Sequence, residues 1–159
     1  MTEQKKIRVG LVFGGRSGEH EVSLSSARAV QANLNTDKYE VVPIGITKTG
    51  SWLLGTEPRQ LQGIPSQADI EEQTTAVTLT GDPSVRRLIP VANGPELGSQ
   101  GVLDVIFPVL HGTYGEDGSL QGLLDMANLP YVGCGVLGAA LGMDKEKMKM
   151  IFQSIGLPI

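Results

Sequence analysis

One cysteine, two histidines and one tryptophan in 159 residues bound what this chain can do. Cys134 alone rules out an internal disulfide framework. With only His20 and His111 beside it, the chain has too few ligands for a zinc site built from side chains. Aromatic residues make up 4% of the sequence, too few to form a platform for stacked bases. Basic residues do not cluster and the net charge is −4, so a nucleic-acid surface is set aside. The opening MTEQKKIRVG has no apolar signal region, and no apolar run approaches membrane-spanning length. These absences point to a soluble cytoplasmic protein with neither nucleic acid nor membrane as partner.

What is abundant is glycine, 21 residues. A chain of this length can bury roughly 70% of its unfolded surface in one domain. The rest of it is organised around residues 9–23, VGLVFGGRSGEHEVS. Val9, Leu11, Val12 and Phe13 form an apolar run that reads as a buried strand. The run stops at Gly14 and Gly15, where the backbone is free to turn or to approach a ligand. Arg16, Glu19, His20 and Glu21 follow, and then a helical pattern begins. Strand, glycine turn and helix make the first half of a βαβ unit, whose ligands sit beyond the carboxyl ends of the strands. The residues alone leave two readings of this loop, a binding loop or a solvated surface loop.

The first strand spans residues 7–13, and the first helix runs from Val22 to about Leu34. Ser23 can cap that helix, Ala27, Val30 and Leu34 share one face, and Asn35 is a stop. Residues 39–46, YEVVPIGI, read as a second strand, which Pro43 moves towards the edge of the sheet. A turn at 47–50 leads to a short return strand, SWLL, in which Trp52 is a packing residue. Residues 55–100 are rich in Gln, Thr, Pro, Gly and Ser and read as an insertion of variable conformation. Within it, 77–80 and 85–90 flank GDPS in the manner of a hairpin.

The sheet resumes at residues 103–110, LDVIFPVL, an apolar run suited to a strand buried on both faces. A second glycine-rich loop, HGTYGEDG, carries His111, Glu116 and Asp117. Leu120, Leu123, Leu124 and Ala127 give the next helix an apolar face, and Asp117 is placed to cap it. Tyr131 and Val132 form a short strand, and 136–142 a short helix. Asp144 caps a last helix whose buried face is Met148, Ile151, Phe152 and Ile155; Gly156 and Pro158 end it.

The two loops are alike: each follows an apolar strand, opens a helix, and holds a histidine and carboxylates among glycines. If their strands are neighbours, Glu19 and His111 face one crevice. A carboxylate there pairs with an ammonium group, and a histidine bonds a carboxylate or acts as a weak acid or base. Helix N-termini add a preference for anions. An amino acid suits this mixture, as do other small zwitterions.

VFGGRSGEHEVSLSSA resembles the N-terminal signature of the D-alanine–D-alanine ligases, a family of ATP-grasp enzymes. DVIFPVLHGTYGEDGSLQGLLDMANLPYVGCGVLGAALGMDKEKMK is similar to their second signature. Two long motifs in the right order carry the likeness, which makes no claim on residues 55–100. The resemblance implies an α/β fold with an open, largely parallel sheet and flanking helices, the Rossmann-like domain that precedes the ATP-grasp fold. It implies a catalytic role for Glu19, which would hold the ammonium of the first D-alanine. Val22 would line the same pocket, His111 would stand beside the substrate carboxylate, and Lys145 in MDK would reach the ATP phosphates. Among the other charges, Glu21 reads as a helix-start carboxylate and His20 as solvent-facing, while Arg16 and Ser17 receive no role.

The same likeness implies ATP with Mg2+ or Mn2+ as cofactors, D-alanine as substrate, and a homodimer. The reaction would be phosphorylation of one D-alanine carboxylate, then attack on the acylphosphate by the second D-alanine's amine, for peptidoglycan synthesis. Ligases of this type are roughly twice as long and place their metal carboxylates in the part this chain lacks. Residues 1–142 are therefore expected to be the substrate-binding domain and 143–159 the start of the ATP-grasp portion, the whole inactive by itself. A D-alanine–D-lactate ligase, a D-alanine–D-serine ligase and a non-catalytic binding domain are the alternatives.

Overall fold

The computed structural model describes residues 5–62, 74–92 and 94–159. Its centre is β1 (Ile7–Gly14), exposed at Ile7 and buried continuously from Val9 onward. Successive side chains of a strand point to opposite faces. Leu11 and Phe13 accordingly enter one apolar cluster and Val12 another. Leu24 and Ala27 of α1 (His20–Asn33) close the first cluster. Leu120 and Leu124 of α2 (Ser119–Met126) close the second. A strand apolar on both sides thus lies between two helical layers.

β2 (Tyr39–Ile46) and β6 (Val105–Pro108) flank β1, and both run parallel to it. Beyond β2 lie β3 (Trp52–Leu54), β4 (Thr75–Thr78) and β5 (Ile89–Pro90), each antiparallel to its neighbour. The open sheet has the order β5-β4-β3-β2-β1-β6. The expected α/β sheet is present, its parallel part made by the three strands that carry the site.

Pro43 does not put β2 at an edge. The ladder to β3 ends at Ile44↔Leu54, one residue away, so the missing amide falls where that ladder has run out. The run at 103–110 pairs with β1 only over β6, at one end of the strand order. Its far side is covered by the chain at Tyr131: Ile106 N donates to Pro130 O at 2.8 Å, and Val132 N to Ile106 O at 2.9 Å. Ile106 is fully buried.

β4 and β5 arise from the segment expected as an insertion, so part of that segment extends the sheet; residues 63–73 and 93 of it lie outside the described residues. The hairpin expected there pairs only Val77↔Pro90 and Thr78↔Ile89. Leu79 and Leu88 turn into the core instead of continuing the ladder, and the GDPS turn sits in the wider connection.

α3 (Val136–Met143) and α4 (Lys145–Ser154) follow. Asp144 caps α4 as expected, its carboxylate accepting from Lys147 N at 3.1 Å. The expected buried face of α4 is a correction. Met148 is half-buried, and Ile151, Phe152 and Ile155 are exposed. The period of the sequence sets an apolar stripe, but α4 packs mainly on α3, which leaves that stripe uncovered among the described residues.

Candidate functional site

β1, β2 and β6 deliver their carboxyl ends, and the loops after them, to one edge of the sheet. Gly14 and Gly15 have φ of +89° and +99°, the left-handed region that favours glycine. A Cβ on Gly14 would stand 2.2 Å from the Ile46 carbonyl oxygen. The first loop therefore closes tightly against the end of β2, and Gly15 N donates to that same oxygen at 2.9 Å.

Two residues of the first loop behave differently from expectation. Ser23 is buried inside α1 and does not cap it. Its hydroxyl accepts from Gly14 N at 2.8 Å and donates to Val109 O at 2.5 Å, stapling the ends of β1 and β6 together. His20 does not face solvent; it is 3% exposed, and its Nδ1 lies 2.8 Å from Gly15 O. Helix α1 starts two residues earlier than expected, at His20, with Glu19 in the N-cap position. That start turns His20 inward under the glycine turn and leaves Glu19 outside.

Glu19 is exposed, and its Oε2 lies so close to Gly112 that a Cβ there would stand 3.0 Å away. Gly112 has φ of +73°, so the backbone beside His111 favours glycine. The two loops are tied together by Ser17, whose hydroxyl donates to His111 O at 2.6 Å. Glu19 N in turn donates to Ser17 Oγ at 3.2 Å. The loops that carry Glu19 and His111 therefore lie side by side.

The His111 ring is bonded on one side by Ser26 and stands near Glu116 on the other. Its Nε2 is 3.1 Å from Ser26 Oγ on α1, and its Nδ1 is 4.0 Å from Glu116 Oε1. Glu116 Oε2 accepts from Gly112 N at 2.6 Å, which fixes that carboxylate in turn. Val22 is 53% exposed, four residues before Ser26. Residues three, four and seven apart line one side of a helix, so Glu19, Val22 and Ser26 rise along the face of α1 that meets His111. Ser26 was missed from sequence, although its spacing from Glu19 and Val22 was the available signal.

Asp117 closes the second loop. Its Oδ2 accepts from Tyr114 N at 2.9 Å and its Oδ1 from Ser119 N at 3.0 Å. Partial burial raises this carboxyl, but hydrogen bonds from the Tyr114 and Ser119 amides and the Ser119 hydroxyl outweigh it, and the carboxyl sits below its ordinary value. Glu21 also sits low, through its bond to Lys48, 2.9 Å away on the turn after β2.

Lys145 stands apart. It is exposed in the first turn of α4, and no hydrogen bond or ion pair joins it to Glu19 or His111 among the described residues. A single lysine on an open helix does not enclose a nucleotide. Nor does any group of three or more His, Cys, Asp or Glu side chains able to hold a metal ion occur among the described residues.

The family model described as the D-ala D-ala ligase N-terminus matches residues 8–134. The chain belongs to this family. The match runs through the segment 55–100, where the two signatures made no claim. The D-alanine–D-alanine ligase of Rhodococcus erythropolis is 47% identical over 157 residues, covering 97% of this chain and 43% of the relative. That of Mycobacterium leprae is 46% identical over 167 residues, 97% of this chain and 42% of the relative. Among solved structures, a D-Ala:D-Ser ligase of Enterococcus faecalis superposes with a TM-score of 0.82 at 35% identity, over 98% of this chain and 43% of that one. The D-alanine–D-alanine ligase of Coxiella burnetii gives 0.80 at 34%, over 97% and 43%. This member of the D-ala D-ala ligase N-terminus family thus spans less than half the length of the curated relatives it matches. No helix among its described residues is long and apolar enough to cross a membrane.

Proposed function

We propose that this chain is the first-substrate portion of an ATP-dependent ligase that joins two D-alanine molecules for peptidoglycan synthesis. The observation that carries the reading is the Glu19 carboxylate set against Gly112, with His111 one residue away and its ring bonded to Ser26. In that crevice Glu19 pairs with the substrate ammonium through charge-assisted hydrogen bonds, about twice as strong as neutral ones. His111, its Nε2 set by Ser26 Oγ, turns Nδ1 to donate to the substrate carboxylate. Val22 lines the same pocket one turn before Ser26. ATP, when bound, supplies the phosphoryl group that activates one carboxylate for attack by the second D-alanine's amine.

Lys145 is proposed to reach the ATP phosphates. The family resemblance implies Mg2+ or Mn2+, held by carboxylates outside this chain. Among the described residues neither site is formed, and the part of the reaction assigned to this chain is substrate binding and orientation.

The division at residues 142 and 143 belongs to the same proposal. It is supported by α4, none of whose residues is buried, and by a family match that ends at residue 134. A cytoplasmic location and a homodimer complete the reading. A D-alanine–D-serine ligase is the second reading, favoured by the Enterococcus faecalis structure; both readings share D-alanine as one substrate.

The test joins this chain to the remaining length of the Rhodococcus erythropolis ligase. The fusion should release phosphate from ATP with D-alanine and form D-alanyl-D-alanine, while the chain alone should release none. A folded fusion inert towards D-alanine would overturn the reading, as would turnover by the chain alone.

A further inference from the structure

Arg16 has no part in the D-alanine reading, yet it is held in place. Its guanidinium carbon lies 4.7 Å from the centre of the Tyr114 ring. Its aliphatic stem lies against Gly50 at φ of +101°, where a Cβ would stand 2.6 Å from Arg16 Cδ. No carboxylate pairs with Arg16 among the described residues. A positive charge fixed between a ring and a backbone, with no counter-ion, is prepared for an anion from outside.

Below it is a cleft of about 200 Å³ at the carboxyl ends of β1 and β2. Arg16 and Tyr114 are exposed and form its rim. Leu110, Leu120 and Leu123, buried or half-buried, form its floor, with Trp52 at its side. No acidic side chain lines it, and Glu19 is not part of its wall. An apolar floor with one charged group at the mouth suits a small ligand with an apolar body and an anionic end.

We propose that this cleft is a second binding site, for a small amphipathic carboxylate, separate from the crevice of Glu19. Carboxylate and phosphate both match a guanidinium fork. The apolar floor decides between them, because a bare inorganic anion has nothing to place on it. His111 and Thr113 also line the cleft, so an occupant touches the loop that carries His111. The proposal does not depend on which substrate the Glu19 crevice takes.

Trp52 is the sole tryptophan, so its fluorescence reports on this cleft alone. Phenylacetate titrated into the chain should give a saturable change with an affinity in the millimolar range. Uncharged phenylacetamide and inorganic phosphate should each bind about tenfold more weakly or worse, the equivalent of about 1.4 kcal/mol for the lost ionic bond or apolar body. Arg16→Gln, at an exposed site, should weaken phenylacetate by a similar factor, while Glu19→Gln should leave it unchanged. Equal binding of phenylacetamide, unchanged affinity in Arg16→Gln, or no saturable response would overturn the site. An equal loss in Glu19→Gln would overturn its separateness.

Discussion

His20 and His111 each stand in a glycine-rich segment, with carboxylates nearby, between an apolar strand and a helix. Yet His20 is 3% exposed, with a backbone carbonyl on its Nδ1, while the His111 side chain is 31% exposed. The difference comes from where each helix begins. α1 includes His20 as its first residue and turns it beneath Gly14. α2 begins only at Ser119, eight residues after His111, so a whole loop stands between the second histidine and its helix. In the first loop the carboxylate that precedes the histidine is presented and the imidazole is structural. In the second the imidazole is presented, and the carboxylates hold the loop.

Both loops rest on the same sheet, so the largest effect should come from beneath them. Ile106→Ala removes a fully buried side chain from β6 and should cost about 2–5 kcal/mol of stability. Coincident denaturant midpoints for mutant and parent would show that β6 does not support the loops.

The next effect sharpens the contrast itself. His20→Ala empties a buried site and leaves Gly15 O without its ring partner, at a cost of about 2–4 kcal/mol. His111→Ala should change stability by less than about 1 kcal/mol. Equal losses in thermal unfolding would erase the distinction drawn between the two rings.

The smallest effect concerns the carboxylate that holds the second loop. Asp117 is lowered from its ordinary 3.8 in the folded chain. Its stabilisation is therefore complete above that value and is lost as pH falls through the lower, folded one. Asp117→Asn removes the charge but keeps the shape, so it should cost less than about 1 kcal/mol at neutral pH, where solvent screens that charge, and flatten the fall of the melting temperature on the acid side. An unchanged acid limb would place that pH dependence elsewhere.

The apolar runs of β1 and β2 and the apolar face of α2 were legible because burial follows them directly. That the loops of Glu19 and His111 lie side by side was legible because parallel strands leave their loops on one edge. Ser23 was not, because its second partner, Val109 O, lies 86 residues away and a serine near a helix start looks like a cap. His20 needed the position of Gly14 relative to β2 before its burial could be known. The stripe of α4 was read correctly as a pattern and wrongly as burial, since period says nothing of what covers a face. Arg16 carried no signal, because its environment comes from Gly50 and Tyr114, both remote in sequence.

The most direct test of the two-loop account compares neighbouring carboxylates in the fusion with the Rhodococcus erythropolis portion. Initial rates with D-alanine and ATP varied separately give kcat/KM for Glu19→Gln and Glu21→Gln. Glu19→Gln keeps the shape but removes the charge that meets the substrate ammonium, and should lose about 2–4 kcal/mol in kcat/KM for D-alanine. Glu21→Gln, whose partner is Lys48 on the surface, should lose far less. Equal losses, or a greater loss at Glu21, would contradict the account.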